Sequence, residues 1–229
     1  MEATYVQRLR LTFRKFGPAR WIGHLDVNRT WERALNRAKI PMAYTQGFNR
    51  RPRMQFANAL PLGYTSDCEF VDLWLREEID AAQAMSQLNE RMAPGMEVIG
   101  ARSVYVRQPA LPTLTVTALY EVKLAHVTFN SAELRETISA LLEQEEVIAE
   151  KTGKKNKGKT YNLRPMIHDI VMDENDLLHF NVSCKEGATG RPDAILRALG
   201  IDHRDTKVHR QTLTLSDAAL LTSKPSKVG

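Results

Sequence analysis

Cysteine is scarce in this chain, with two residues in 229, and the sequence contains neither a CxxC motif nor a cysteine triplet. An iron–sulfur cluster is held by several cysteine thiolates, so this chain cannot ligate one by itself. Cys68 and Cys184 lie far apart in the sequence. They therefore fit the reduced side chains of a cytosolic protein better than a disulfide framework.

Long apolar runs are also missing. No window approaches the roughly eighteen consecutive apolar residues that a membrane-spanning helix needs. The first residues, MEATYVQRLR, include an acid and lack the apolar core of a signal peptide. We therefore expect a cytoplasmic protein without a membrane segment.

Motifs for metals and nucleotides are absent as well. His168, His179, His203 and His209 show no HxH or HExxH spacing, which zinc sites use. The sequence has no GxGxxG or GxxxxGK[ST], and the GKT at 158–160 lacks the upstream glycine of a phosphate-binding loop. The sequence predicts neither a metal site nor a bound cofactor.

Positive charge is present and is concentrated in two places. Residues 1–66 contain twelve Lys or Arg and three Asp or Glu, a local charge of +9, although the whole chain carries +5. Residues 67–110 contain four basic and eight acidic residues, a charge of −4. Residues 151–164 add five Lys and one Arg without an acid. Local positive fields of this kind are typical of surfaces that meet phosphate.

Hydrophobic patterning indicates the same order of elements in each half of the chain. In the first half, strands are predicted at 5–16, 42–47, 68–75 and 96–106, with helices at 24–40 and 81–92. In the second half, strands are predicted at 118–129, 147–151, 163–172, 177–184 and 207–215, with helices at 131–142 and 191–199. Asn130 or Ser131 is the predicted cap of the helix at 131–142, and Pro192 opens the last helix.

This order predicts an α+β protein with two tandem ferredoxin-like (β-α-β-β-α-β) domains and antiparallel sheets. The N-terminal domain is expected at 1–108 and the C-terminal domain at 117–216, joined by a linker at 109–116 that contains two prolines. Residues 217–229 have little apolar periodicity and are expected to be disordered.

A stripe of arginines lies on the first predicted helix. Arg29, Arg33 and Arg37 recur every four residues and so share one helix face. The turn that follows adds further guanidinium groups, which pair well with phosphate. An ordinary solvated face with Asp26 and Glu32 as local partners is the alternative. The predicted phosphate contacts are Arg29, Arg33, Arg37, Arg50, Arg51 and Arg53.

A lysine-rich loop in the second half is a second candidate contact. Residues 151–159 contain glycines and lack apolar anchors, which suits either a flexible connection that orders on a polyanion or a solubilising surface loop. The candidate contacts in this loop are Lys154, Lys155, Lys157 and Lys159.

Aromatic residues next to the basic segments are candidates for stacking on unpaired bases, although aromatic residues in strands are more often part of the core. These residues are Tyr44, Phe48, Phe56, Tyr64 and Tyr161.

His24 opens the basic helix and is the candidate general base. Beside arginines and Tyr44 it could activate an RNA 2′-hydroxyl in a metal-free cleavage. A structural histidine at the helix N-terminus is the alternative and the more common case.

The run GHLDVNRTWERALNRAKIPMAYTQGFN followed by ANALPLG resembles a radical-SAM-associated bacterial domain of unknown function. NLRPMI at 162–167 and GRPDAILRALG at 190–200 resemble its second half, so the resemblance covers roughly residues 5–212. In that family the turn after the GFN usually reads Pro-His-Pro-Lys, whereas here it reads Arg-Arg-Pro-Arg. The resemblance implies a radical SAM protein as partner. Because this turn lacks the family's histidine, a role that depends on that histidine does not carry over to this chain.

The favoured function is an RNA-binding accessory protein that acts on tRNA or rRNA with a radical SAM enzyme or an RNA-processing or modification machinery. One alternative is a metal-independent endoribonuclease with an architecture like that of CRISPR-RNA-processing nucleases, using His24 and Tyr44. Another is a protein-interaction subunit that docks an acidic partner. Catalysis by this chain is not the favoured interpretation.

Overall fold

A computed structural model describes residues 5–125, 129–151 and 158–220. The chain forms two compact units. The first unit comprises residues 1–115 together with 215–229, and the second comprises residues 116–214. The chain therefore leaves the first unit and returns to it.

The first unit alternates strands and helices, and its second strand lies at Met54–Phe56 instead of at the predicted 42–47. Its elements are β1 (Gln7–Lys15), α1 (His24–Arg37), β2 (Met54–Phe56), β3 (Thr65–Leu75), α2 (Ala81–Asn89) and β4 (Met96–Val104). The strands run in the spatial order β4, β1, β3, β2, and each neighbouring pair is antiparallel.

The register of β1 places its apolar residues on the core side of the sheet. Leu9 pairs with Leu73 and Leu11 with Val71, and all four side chains are fully buried. They pack in one cluster with residues of both helices, including Trp31. The period of two in β1 thus selects the face that carries the core.

Helix α1 buries one of its faces against the core of the first unit. Val27, Trp31, Ala34 and Leu35 are buried, and their spacing of three and four residues is that of one helix face. Leu25 is also apolar, but it is 73% exposed. It lies six residues before Trp31, a separation that does not place the two on one stripe.

The opposite face of the sheet carries a buried polar cluster. Arg8 and Arg10 alternate with the core residues of β1, and each is 1% exposed. Both bind the carboxylate of Asp72 on β3, with an Arg8 Nη2–Asp72 Oδ2 distance of 2.6 Å and an Arg10 Nε–Asp72 Oδ1 distance of 2.8 Å. Arg8 Nη1 also donates to the carbonyl of Gln108, at 2.7 Å.

The end of the described chain closes this cluster. Disorder is predicted from residue 217 onward, but Asp217–Leu220 forms a 3-10 turn, while residues 221–229 lie outside the described ranges. The buried carbonyl of Ala219 accepts hydrogen bonds from Arg10 Nη1 at 3.2 Å, Arg102 Nη2 at 3.1 Å and Gln108 Nε2 at 3.1 Å. Sequence patterning missed this turn because polar contacts, rather than an apolar stripe, hold it in place.

The second unit has further strands between its helices. Its elements are β5 (Thr115–Leu124), α3 (Ser131–Glu143), β6 (Ile148–Glu150), β7 (Thr160–Asn162), β8 (Ile167–Met172), β9 (Leu178–Lys185), β10 (Ala188–Thr189), α4 (Pro192–Ala198) and β11 (Thr206–Leu215). β9 pairs antiparallel with β5, β8 and β10, and β5 lies between β9 and β11. β6 and β7 form a separate hairpin.

The helix starts of the second unit agree with the sequence. The side chain of Asn130 accepts hydrogen bonds from the backbone of Ala132 and Glu133, so Asn130, rather than Ser131, caps α3. Pro192 is the first residue of α4. Short polar side chains and proline mark these two boundaries through local chemistry alone.

One predicted strand is replaced by a loop. Residues 42–47 make only two isolated bridges, Met42 to Leu75 and Tyr44 to Pro52. Gly47 has a φ of +128°, which ends extended pairing at this point.

The predicted combination of helices and antiparallel sheets is confirmed, whereas the assignment of both units to the ferredoxin-like fold stays a prediction. Within the described ranges, each helix is too short or too polar to cross a membrane.

Candidate nucleic-acid interface

The outer face of α1 presents three arginines. Arg29, Arg33 and Arg37 are exposed, and they lie on the side of the helix that does not contact the core. At a rise of about 1.5 Å per residue, successive arginines are about 6 Å apart along the axis. The stripe predicted from the sequence is therefore present on the surface.

These arginines have few competing partners. Arg29 Nη1 lies 3.3 Å from Asp26 Oδ1, and both side chains are more than half exposed. Arg37 Nη2 donates to the carbonyl of Arg91, at 2.8 Å. Within the described part of the chain, Arg33 makes no hydrogen bond or ion pair, and Glu32 makes no ion pair. The cations are thus available to an anionic ligand.

A closed loop at residues 45–51 carries two further arginines. The amide of Thr45 donates to the carbonyl of Arg51 at 2.9 Å, and the amide of Arg51 donates to Thr45 Oγ1 at 3.1 Å. In the segments that flank the loop, the amide of Arg53 donates to the carbonyl of Ala43 at 2.7 Å. Arg50 and Arg51 are both exposed, so the hydrogen-bonded base of the loop holds two arginine side chains in solvent.

The loop is attached to α1 at the C-terminal end of the helix. The hydroxyl of Tyr44 donates to Asn36 Oδ1 at 3.3 Å. Asn36 precedes Arg37 in the sequence and lies three residues after Arg33, on the same part of the helix surface. The base of the loop therefore contacts the helix close to Arg33 and Arg37, and we call Arg29, Arg33, Arg37, Arg50 and Arg51 the basic face.

Arg53 does not share this arrangement. Its guanidinium carbon lies 4.7 Å from the centroid of the Tyr5 ring and 5.2 Å from that of Trp74. The side chain is half-buried, and these two rings hold its cation. The structure thus places the sixth predicted arginine on aromatic rings instead of beside Arg50 and Arg51.

The lysine loop belongs to the second unit. Lys159 is exposed, and its carbonyl accepts a 2.8 Å hydrogen bond from the amide of Lys151 at the base of the β6–β7 hairpin. Lys154, Lys155 and Lys157 lie outside the described residues. A role for this loop in phosphate binding stays a prediction.

The two candidate catalytic residues lie near opposite ends of α1. His24 is the first residue of the helix, and its Nε2 lies 3.1 Å from Asn28 Nδ2. The Tyr44 hydroxyl binds Asn36, twelve residues further along the helix, a separation of about 18 Å. A general base must come within about 3 Å of the proton it removes. The structure does not bring His24 and Tyr44 into one catalytic site.

His24 instead has structural neighbours. Its ring packs edge-on against Phe56, with 5.6 Å between the centroids, and Phe56 in turn contacts Phe13 and Trp31. Gly23 occupies the N-cap position, and a glycine has no side chain that could cap the helix. His24 therefore links the start of α1 to the edge of the core.

The five candidate stacking aromatics differ in exposure. Tyr64 is buried, Phe56 is partly buried in the core, and Tyr44 is joined to Asn36. Tyr161 is half-buried, and desolvation raises the pKa of its hydroxyl. Phe48 alone among these five has its whole side chain in solvent, with a relative exposure of 105%.

Burial reduces the positive field that the sequence predicts. Arg8, Arg10 and Lys15 are each 2% exposed or less, so three of the twelve basic residues in 1–66 contribute little to the surface. In the described ranges, His, Cys, Asp and Glu form no cluster of three or more suited to a metal ion. The exposed cations are the main chemical feature of this surface.

The family described as "Uncharacterized protein conserved in bacteria (DUF2344)" matches residues 8–192. The chain belongs to this family. The five residues of the basic face all lie within the matched range. The description carries no activity and no link to a radical SAM enzyme, so that association stays a proposal. No curated protein matches the chain.

Among solved structures, the chain is similar to a chain of the archaeal box H/ACA sRNP Nop10–Cbf5 complex, with 11% identity and a TM-score of 0.47 over 96% of this chain and 52% of that one. It is also similar to a chain of a Cbf5–Nop10–Gar1 complex, with 9% identity and a TM-score of 0.47 over 94% of this chain and 52% of that one. The chain spans about half the length of the solved chains that it matches.

Proposed function

We propose that this chain is an RNA-binding accessory protein that holds RNA phosphates on the basic face. The observation that carries the proposal is the Tyr44–Asn36 hydrogen bond, which joins the base of the 45–51 loop to the helix that bears the arginine stripe. Each of these five exposed guanidinium groups can form bidentate hydrogen bonds with a phosphate. Such contacts hold an RNA without reading its sequence.

The distribution of acids supports a polyanionic ligand. No Asp or Glu occurs between Glu32 and Asp67 in the sequence, and on the basic face, within the described ranges, only Arg29 forms an ion pair with an acidic side chain. An ordinary solvated helix face usually intersperses both signs of charge. Unbalanced cations on a fixed surface favour release of counterions when a phosphate chain binds.

Both units are proposed to be ferredoxin-like domains in tandem, with the domain limits that the sequence predicts. Supporting this, the strand order β4, β1, β3, β2 of the first unit recurs in the second unit as β11, β5, β9, β8. In chain order, the two helices of each unit come after the first and the third of these four strands: α1 after β1 and α2 after β3 in the first unit, α3 after β5 and α4 after β9 in the second. Strands β6, β7 and β10 are additions in the second unit.

A radical SAM enzyme is the proposed partner in tRNA or rRNA processing or modification, and this part rests on the sequence resemblance. The partner would supply the iron–sulfur cluster. Cys68 is half-buried and Cys184 is buried, and they lie in different units, so they do not form a cluster site of this chain.

Binding to tRNA and to rRNA fragments across a salt series tests the proposal. We expect submicromolar binding at low salt and a steep loss of affinity as salt rises. Arg29→Glu/Arg33→Glu should weaken binding to every sequence and reduce the slope of log K against log salt by about 1.4, because each lost contact to single-stranded RNA contributes about 0.7. The matched control is Lys185→Glu/Lys207→Glu, which makes the same charge change at exposed positions of the second unit.

Equal effects of the two double variants would reject the basic face as the RNA site. An acidic protein that displaces RNA completely, together with weak and equal binding to all polyanions, would favour a protein partner instead. We also expect the intact protein to leave RNA uncleaved in a metal-free buffer. Cleavage that disappears in His24→Ala would overturn the accessory role and establish the nuclease alternative.

A further inference from the structure

Phe48 lies at the tip of the 45–51 loop, and its side chain is fully exposed to solvent. Its relative exposure of 105% is the highest of the exposed large apolar residues, ahead of Leu25 at 73%. Burying a phenylalanine side chain is normally favourable by about 1.5–3 kcal/mol. A fold that leaves this ring in water forgoes that stabilisation.

The loop beneath Phe48 is closed and anchored. The Thr45–Arg51 backbone pair, the Tyr44–Pro52 bridge and the Tyr44–Asn36 hydrogen bond fix its base. Gly47, immediately before Phe48, has a φ of +128°, which an L side chain rarely adopts. The ring is therefore presented by a defined turn.

The surroundings of Phe48 suit a nucleobase better than an apolar protein surface. Its neighbours in the loop are polar or cationic, namely Gln46, Asn49, Arg50 and Arg51, and no apolar side chain extends the patch within the loop. A protein-docking site needs a contiguous apolar area. A base needs one aromatic face and nearby cations for the flanking phosphates.

We propose that Phe48 stacks on an unpaired nucleobase while Arg50 and Arg51 bind the adjacent phosphates. The substrate class is then RNA with a single-stranded segment, loop or bulge, because the bases of a continuous duplex are already stacked and its major groove is too narrow for side chains. This inference rests on the proposed RNA-binding function and adds the form of RNA that the surface selects.

The test compares Phe48→Ala with wild type on a single-stranded RNA and on a duplex of the same sequence. We expect Phe48→Ala to weaken single-strand binding about 5- to 150-fold, since stacking of one base on an aromatic side chain contributes on that scale. Duplex binding should be unchanged. Phe48→Tyr should retain single-strand binding, and Leu62→Ala, which removes another exposed apolar side chain of the first unit, is the matched control.

Quenching of a 2-aminopurine base in the single strand gives a direct readout of stacking. Quenching by wild type and Phe48→Tyr but not by Phe48→Ala supports the inference. Unchanged single-strand affinity in Phe48→Ala, or equal losses on single strand and duplex, overturns it.

The failure of this inference and that of the proposed function are distinguishable. If Arg29→Glu/Arg33→Glu weakens RNA binding and Phe48→Ala does not, the basic face is kept and stacking is rejected. If wild type shows no salt-dependent RNA binding, the proposed function itself is rejected. Loss of acidic-protein binding in Phe48→Ala, with RNA binding intact, would make the loop tip a protein contact.

Discussion

Asp72 lies between two buried guanidinium groups and accepts hydrogen bonds from both. Its Oδ2 accepts from Arg8 Nε at 2.9 Å and from Arg10 Nη2 at 2.9 Å, and its own side chain is fully buried. Desolvation lowers the pKa of Arg8, while the charge of Asp72 opposes that effect. The carboxylate is therefore what makes the burial of these two cations tolerable.

Removing this charge should destabilise the first unit strongly. We expect Asp72→Asn to lower the free energy of unfolding by about 3–5 kcal/mol, because two buried cations lose their counter-charge. Urea denaturation followed by circular dichroism measures the change.

The control for Asp72→Asn is Asp67→Asn. Asp67 Oδ1 lies 2.7 Å from Arg14 Nε, but both side chains are more than 40% exposed. Water and salt screen such a pair, so little change in stability is expected. Equal losses in the two variants would contradict the importance of burial at Asp72.

At the scale of single residues, the sequence predicts which side chains share a face of a strand or helix better than it predicts whether that face is buried. The alternation of β1 shows that Arg8 and Arg10 share one face, and the period of α1 shows that Arg29, Arg33 and Arg37 share another. Which face is covered depends on Gln108 and on Ala219, which lie 98 and 209 residues after Arg10. No local pattern encodes a partner at that separation.

At the scale of elements, the turn between β8 and β9 is organised by one carboxylate. Asp173 Oδ1 accepts from the amides of Asn175 at 2.8 Å and Leu177 at 2.9 Å, and its Oδ2 lies 3.1 Å from His179 Nε2. The hydrogen bond from Leu177 is the largest of the causes that lower the pKa of Asp173, followed by the one with His179. The charged carboxylate is the form that stabilises the turn.

This shift predicts an acid dependence of stability. A depressed pKa means that the contribution is fully present above the unfolded-state value, about 4, and is lost as the pH falls through the lower folded-state value. Stability should therefore decrease less between about pH 5 and pH 2 in Asp173→Asn than in wild type. Urea midpoints across that range measure the difference, and parallel pH profiles would contradict the assignment.

Element boundaries with a local chemical signal are predictable, and those without one are not. Asn130 and Pro192 mark helix starts by capping and by a fixed backbone angle. The 42–47 segment has the composition of a strand, but Gly47 and Pro52 turn it into a loop that makes only isolated bridges. The exposure of Phe48 follows from that loop. The sequence alone does not decide between an exposed and a core position for this residue, and a core position is the more common one for aromatic residues in strands.

At the scale of the whole molecule, the segment 215–220 completes the polar cluster of the first unit. Truncation after Ser216 removes the carbonyl of Ala219, which three buried or half-buried donors use. Each donor left without its acceptor costs on the order of 1–3 kcal/mol. Amides of β1 and β4 should then exchange hydrogen faster, while those of β9 in the second unit should change little.

Truncation after Leu220 is the matched control, because it keeps every described contact of Ala219. Hydrogen exchange measured by mass spectrometry separates the two units without assuming a single unfolding transition. Equal exchange of β1 in both truncated proteins would show that the Ala219 contacts do not stabilise the first unit.

The discontinuity of the first unit bears on how the protein is made. The chain leaves that unit after Thr115 and re-enters it at Leu215, whereas the second unit is continuous. At roughly 5–20 residues per second, a ribosome needs about 5–20 s to synthesise the intervening segment. The second unit can therefore fold on the ribosome before Ala219 is added, and the hydrogen bonds of Arg10, Arg102 and Gln108 to that carbonyl form only afterwards.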